Sequence, residues 1–106
     1  MAVIPGTTPT LPLILPEGYD ISEASYVYVS LQSETAKVIK SGESVTVTEG
    51  RYISVAFTQE DTLAFPNNTT AKIQVNWVYA DGTRGATLPA TIVMGEQLLR
   101  SVLPNA

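Results

Sequence analysis

Apolar and polar residues alternate along most of this chain with a period of two. Between Ala24 and Gln32, Val27, Val29 and Leu31 fall on one side, and Tyr26, Tyr28 and Ser30 on the other. That spacing predicts a strand with one face in a core. The same pattern places Ile53, Val55 and Phe57 inward on a strand from Arg51 to Phe57. The longest signal runs from Thr70 to Ala80, where Ala71, Ile73, Val75, Trp77 and Tyr79 share a face. Asp81-Gly82 after it is a strong hairpin signal, because a tight type I′ turn needs positive φ at both central positions. A two-residue turn there pairs Trp77 with Ala86, Val75 with Leu88 and Ile73 with Ala90. Pro89 on the returning strand predicts an edge or a bulge.

Two further turns set expectations for register. Ser41-Gly42 suggests a hairpin of Lys37–Lys40 with Ser44–Thr48, with Lys40 opposite Glu43 and Val38 opposite Val45. Around Glu49-Gly50 a three-residue loop is preferred. It sets Val47 against Ile53 and Val45 against Val55, which keeps one face dry. Thr58 has the chemistry of a helix N-cap, and Glu60 and Asp61 suit a helix N-terminus. With Leu63, Phe65 and Pro66 following, one short helical turn near 58–63 is expected to cross between two sheets and close one end of the core.

The ends differ from the middle. Pro5, Pro9, Pro12 and Pro16 fall in the first sixteen residues. Proline lacks a ladder donor, so this part reads as an extended lead-in and then an edge strand with Leu11, Leu13 and Leu15 on one face. Beyond Met94 the period changes: Met94, Leu98, Leu99, Val102 and Leu103 cluster at a spacing compatible with a short amphipathic helix ending at Pro104. The organisation expected is an arm and edge strand over 1–16, a body over 17–93 and a tail over 94–106. The fold class is all-β: an immunoglobulin-like β-sandwich of about seven strands. A small closed or partly open barrel is the runner-up.

Composition narrows the chemistry. The chain has 106 residues, 44% of them hydrophobic, enough for one domain with a real core. Without His or Cys it offers no imidazole base, thiolate nucleophile or usual zinc, haem or iron–sulfur ligand set. No serine has an activating base in a recognisable motif, and the glycines are isolated turn residues rather than a phosphate loop. No enzyme activity and no cofactor are expected. Ten Asp and Glu against six Lys and Arg argue against nucleic acid as a partner. No apolar run reaches the length of a membrane span, and Met1 to Pro5 carries no positive lead of a secretory signal, so no membrane partner is expected. Overlapping Asn-x-Thr triplets at Asn67 and Asn68 read as polar turn chemistry, and Glu60-Asp61 as helix-start charge.

What remains is surplus apolarity at the two ends. Contiguous exposed apolar surface marks protein contacts. The interface candidates are therefore Leu11, Leu13 and Ile14 in the arm and Leu98, Leu99 and Val102 in the tail. A different reading uses Tyr26, Tyr28 or Tyr52 as stacking surfaces for a host-surface glycan or receptor.

Three stretches together carry a family resemblance: Pro5-Gly6-Thr7-Thr8-Pro9-Thr10; Ile53 to Phe65, which contains Thr58-Gln59-Glu60-Asp61-Thr62; and Ile73 to Gly82. In this order they resemble a family of small phage and prophage proteins from gut Firmicutes and relatives. That family has a Gly-Thr-Thr-Pro-Thr arm and a Thr-Gln-Glu-Asp-Thr motif after a central strand. The resemblance spans most of the chain, and the middle motif is its most specific part. The chain departs from it at Leu11-Pro12-Leu13-Ile14-Leu15 and from Gly95 to Ala106. The resemblance implies a β-sandwich encoded among virion structural genes: a non-enzymatic structural or adaptor component of a tailed phage or prophage, made in the bacterial host cytoplasm and located in the virion. Its partners would be itself, as a homo-oligomer, and other virion structural proteins.

Overall fold

The computed structural model describes residues 2–98. They form a sandwich of two sheets. One sheet has the order β1 (Ala2–Val3), β9 (Ala90–Met94), β7 (Thr69–Val78), β3 (Tyr26–Gln32), β4 (Lys37–Lys40), with β8 (Arg84–Ala86) also on β7. The other has the order β2 (Thr10–Ile14), β6 (Tyr52–Ala56), β5 (Val45–Thr48). The order β9-β7-β3-β4 over β2-β6-β5 is that of strands G-F-C-C′ over B-E-D in a variable-type immunoglobulin sandwich. The fold is all-β and immunoglobulin-like.

The core follows the alternation. Val29 and Leu31 of β3, Ile53 and Val55 of β6, and Ala71, Ile73, Val75 and Trp77 of β7 are buried between the sheets. The three-residue loop holds: Val47 pairs with Ile53 and Val45 with Val55. Glu49 and Gly50 both have positive φ there, 54° and 73°. The positive φ favours glycine at 50, and a Cβ there would also crowd the Asp20 carboxylate. A short helix, α1 (Gln59–Leu63), crosses from the small sheet to the large one, and Thr62 and Phe65 seal that end of the core. Thr58 caps it with a full capping box: its hydroxyl accepts the Asp61 N–H at 3.1 Å, and the Asp61 carboxylate accepts the Thr58 N–H at 2.9 Å.

Several expectations are corrected. Lys37–Lys40 does not form a hairpin with the segment after it. β4 turns back on β3, placing Val38 opposite Leu31 and Lys40 opposite Val29. Ser33 closes that turn, donating its N–H to the Ala36 carbonyl at 2.8 Å. A 3₁₀ turn at Gly42–Ser44 then carries the chain to the other sheet, where β5 covers β6. Alternation fixes which face a strand buries but not which sheet it joins.

The Asp81-Gly82 turn is one residue longer than expected. Tyr79 donates to the Thr83 carbonyl at 2.8 Å, so Trp77 lies opposite Gly85 rather than Ala86. The cause is space: a Cβ on Gly85 would sit 2.4 Å from Trp77 Cε2, and only glycine lets the indole lie there. A bulge over Thr87 to Pro89 then restores the expected pairing of Ile73 with Ala90 and turns Leu88 outward.

At the N-terminal end the expected edge strand is found as β2, and the lead-in before it is itself paired. β1 pairs in parallel with β9, and β2 pairs with β6, so the first fourteen residues enter both sheets. At the other end Met94 closes β9 with its side chain buried, instead of opening a helix. The expected helix beyond Leu98 lies outside the described residues.

Candidate functional site

The first two of the three stretches that carried the resemblance meet in space. Thr62 is fully buried. Its hydroxyl accepts the Gly6 N–H at 2.8 Å and donates to the Thr7 carbonyl at 2.8 Å. The Gly-Thr-Thr-Pro-Thr stretch is thereby latched onto α1 by the last residue of Thr-Gln-Glu-Asp-Thr. Asp61 adds a second tie: its carboxylate also accepts Lys40 Nζ at 2.8 Å, joining α1 to β4. Burial pushes the Asp61 pKa up. Hydrogen bonds from Lys40 and Thr58, with the Lys40 charge, outweigh burial and hold it below the usual carboxylate range. Glu60-Asp61 thus serves the helix start and an ion pair. Asn67 is likewise engaged, exchanging hydrogen bonds with the Gln97 backbone at 3.0 and 3.1 Å.

The interface candidates separate. Leu11 is only 6% exposed and belongs to the chain's own core; Leu13 packs half-buried against that core. Ile14 is 65% exposed and Leu98 is 90% exposed, at opposite ends of the sandwich. Leu99 and Val102 lie outside the described residues. The tyrosines separate as well. Tyr26 and Tyr28 stack on the outer face of the large sheet with centroids 6.4 Å apart, whereas Tyr52 belongs to the small sheet beneath the Arg51 guanidinium.

One sheet edge, the flank beside β2, lies next to an apolar cleft. No described strand lies outside β2. Phe57 donates to the Pro9 carbonyl and Leu15 to the Arg51 carbonyl, so odd-numbered residues of this ladder face β6. The backbone groups of Thr10, Pro12 and Ile14 then face outward, by the alternation of an antiparallel pair. Pro12 presents a carbonyl but no N–H, as suits an edge strand. Between β2 and the bulge after β8 opens an apolar cleft of about 330 Å³. Its walls include Leu13, Ile14, Pro16 and Tyr19 on one side and Ile73, Val75, Leu88 and Ala90 on the other. Tyr19 is fixed by an edge-to-face contact with Trp77 at 5.8 Å. Leu88, turned out by the bulge, is 90% exposed. Sequence reasoning identified Leu13 and Ile14 but missed Leu88 and Tyr19. Pro89 signalled the bulge, but nothing in the sequence says which side chain it ejects.

Among the described residues, no three His, Cys, Asp or Glu side chains converge as a metal site, and no helix is long and apolar enough to cross a membrane. No family model, no curated protein and no solved structure matches the chain.

Proposed function

We propose that this chain is a non-enzymatic structural or adaptor module of a tailed-phage or prophage virion, acting through protein–protein contacts. The observation that supports the contact mode is the open flank. There, exposed Ile14 and Leu88 border an apolar cleft next to an unpaired strand edge. Exposed apolar surface of this kind is costly to leave in water and is characteristic of partner sites. Latching of the N-terminal segment to Thr62 removes it as a free arm, so the contact is docking onto the flank rather than exchange of the arm. The test is protein composition of purified particles from a host carrying the gene. The chain is expected in intact particles, and lost from them when Ile14 and Leu88 are both changed to Lys. Particles that assemble fully without the chain, or that retain the double variant, would overturn the reading.

The glycan reading keeps one observation in its favour. Tyr26 and Tyr28 stack beside a hollow of about 340 Å³ lined by Tyr28, Ser30, Asn76 and Arg84. A specific signal on a glycan array that disappears with Tyr26→Ala would support it, and a blank array would remove it.

A further inference from the structure

The flank also carries information about what it binds. We infer that it takes an extended, basic segment of a different protein, laid along β2 with alternate apolar side chains in the cleft. This rests on the protein–protein reading above and specifies the partner's chemistry.

Shape is the first argument. An added strand would lie about 4.8 Å outside β2 and alternate its side chains between the two sides of the sheet. Those turned inward would meet the apolar walls formed by Leu13, Ile73 and Leu88. The outward carbonyls of Thr10, Pro12 and Ile14, and the N–H groups of Thr10 and Ile14, are the backbone partners such a strand needs.

Charge is the second. Pro16 and Tyr19, which wall the cleft, flank Glu17, and Asp20 and Glu23 follow in the same loop. That loop packs on the β5–β6 and β7–β8 turns: Ile21 donates to the Gly50 carbonyl at 2.9 Å, and the Tyr79 hydroxyl donates to the Asp20 carbonyl at 3.3 Å. Those turns add Glu49 and Asp81, so the loops at this end of the sandwich carry five exposed carboxylates, of which Glu17 lies between two residues of the cleft wall. Two cations stand near these loops, Arg51, whose guanidinium donates to the Leu15 carbonyl at 3.0 and 3.1 Å, and exposed Arg84 just after the β7–β8 turn, so the five carboxylates leave the end acidic on balance. An apolar slot with an acidic rim selects a cationic chain by complementarity.

The proline at the centre of β2 disfavours symmetric pairing with a second copy. A two-fold pairing of β2 with β2 centred on Pro12 would set proline against proline with no donor on either side.

The experiment titrates the full chain with labelled synthetic peptides that share alternating Leu and differ in the intervening residue, Lys, Ser or Glu. Amide NMR shifts locate the binding. The Lys peptide is expected to bind most tightly, shifting Thr10, Ile14 and Leu88, and to weaken about fivefold or more on raising salt from low to physiological strength. Leu88→Ser, at an exposed position that leaves the core alone, should abolish those shifts. Glu17→Gln with Glu23→Gln should weaken the Lys peptide and leave the Ser peptide unchanged. Equal binding of all peptides at the cleft overturns the charge inference while leaving protein docking intact. If no peptide moves the cleft amides, the inference fails, and docking is then judged separately by the particle test. Concentration-dependent shifts of the free protein at Thr10 and Ile14 would assign the flank to a second copy. Shifts there on changing Leu99 and Val102 to Ser would assign it to the chain's own C-terminal residues. Either result overturns a foreign partner.

Discussion

Thr62→Val isolates one hydroxyl in a fully buried position. The replacement keeps nearly the same volume, so packing around α1 changes little. It removes the acceptor of the Gly6 N–H and the donor to the Thr7 carbonyl, both at 2.8 Å. Each bond contributes about 1 kcal/mol net, but a buried group left without its partner costs about 1–3 kcal/mol. Gly6 and Thr7 are half-buried, so water recovers part of that loss, and the sum comes to about 2–4 kcal/mol. For a domain of this size each kcal/mol lowers Tm by about 4–8 °C. Thr62→Ser is the control: it keeps the hydroxyl and loses one methyl, for about 1 kcal/mol. Urea unfolding of the three proteins gives the energies, and hydrogen exchange at the Gly6 amide reports the latch itself. A valine variant within about 0.5 kcal/mol of the parent, or a Gly6 amide that exchanges no faster, would refute the claim that this hydroxyl anchors the N-terminal segment.

Gly85→Ala should destabilise by about 1–3 kcal/mol through overpacking against Trp77, seen as a lower urea midpoint and altered tryptophan fluorescence. Thr58→Ala should cost about 1 kcal/mol by removing the cap of α1, measured by the same unfolding curves. The lowered pKa of Asp61 makes its contribution fully present above about pH 4 and lost as the pH falls through the folded value. Asp61→Asn should therefore flatten the acid limb of a stability–pH profile, and an unchanged limb would count against the Lys40 and Thr58 contacts. Gly50→Ala should be worse than Gly82→Ala. Both have positive φ, but only Gly50 has Asp20 against it. Comparison of their thermal midpoints decides this.

Much of the sandwich is legible from period two alone, because Ile53, Val55, Ile73 and Val75 have to share a dry interior whatever the topology. The Thr58 cap and the Glu49-Gly50-Arg51 loop are equally local, and local chemistry determines them. What failed depended on partners distant in sequence. Nothing within Lys37–Thr48 shows that the large sheet needs an edge strand on β3 while the small one needs a cover for β6. The two residues of β1 are too few to show any period. The role of Gly85 becomes visible only with Trp77 above it. The flank was half legible: Leu13 and Ile14 announced themselves by type, whereas Leu88 acquires its position from a bulge formed elsewhere.

The pairing of Ala2 with Val93 has a consequence for how the molecule comes into being. On a ribosome, Ala2 and Val3 emerge long before the strand they pair with has been made. Closure of so large a loop belongs with the slow, non-local class of folding events. The segment that holds them meanwhile stays available to proteases or to other young chains. A substitution that unpairs Ala2 from Val93 would act on that non-local closure rather than on the local hairpins.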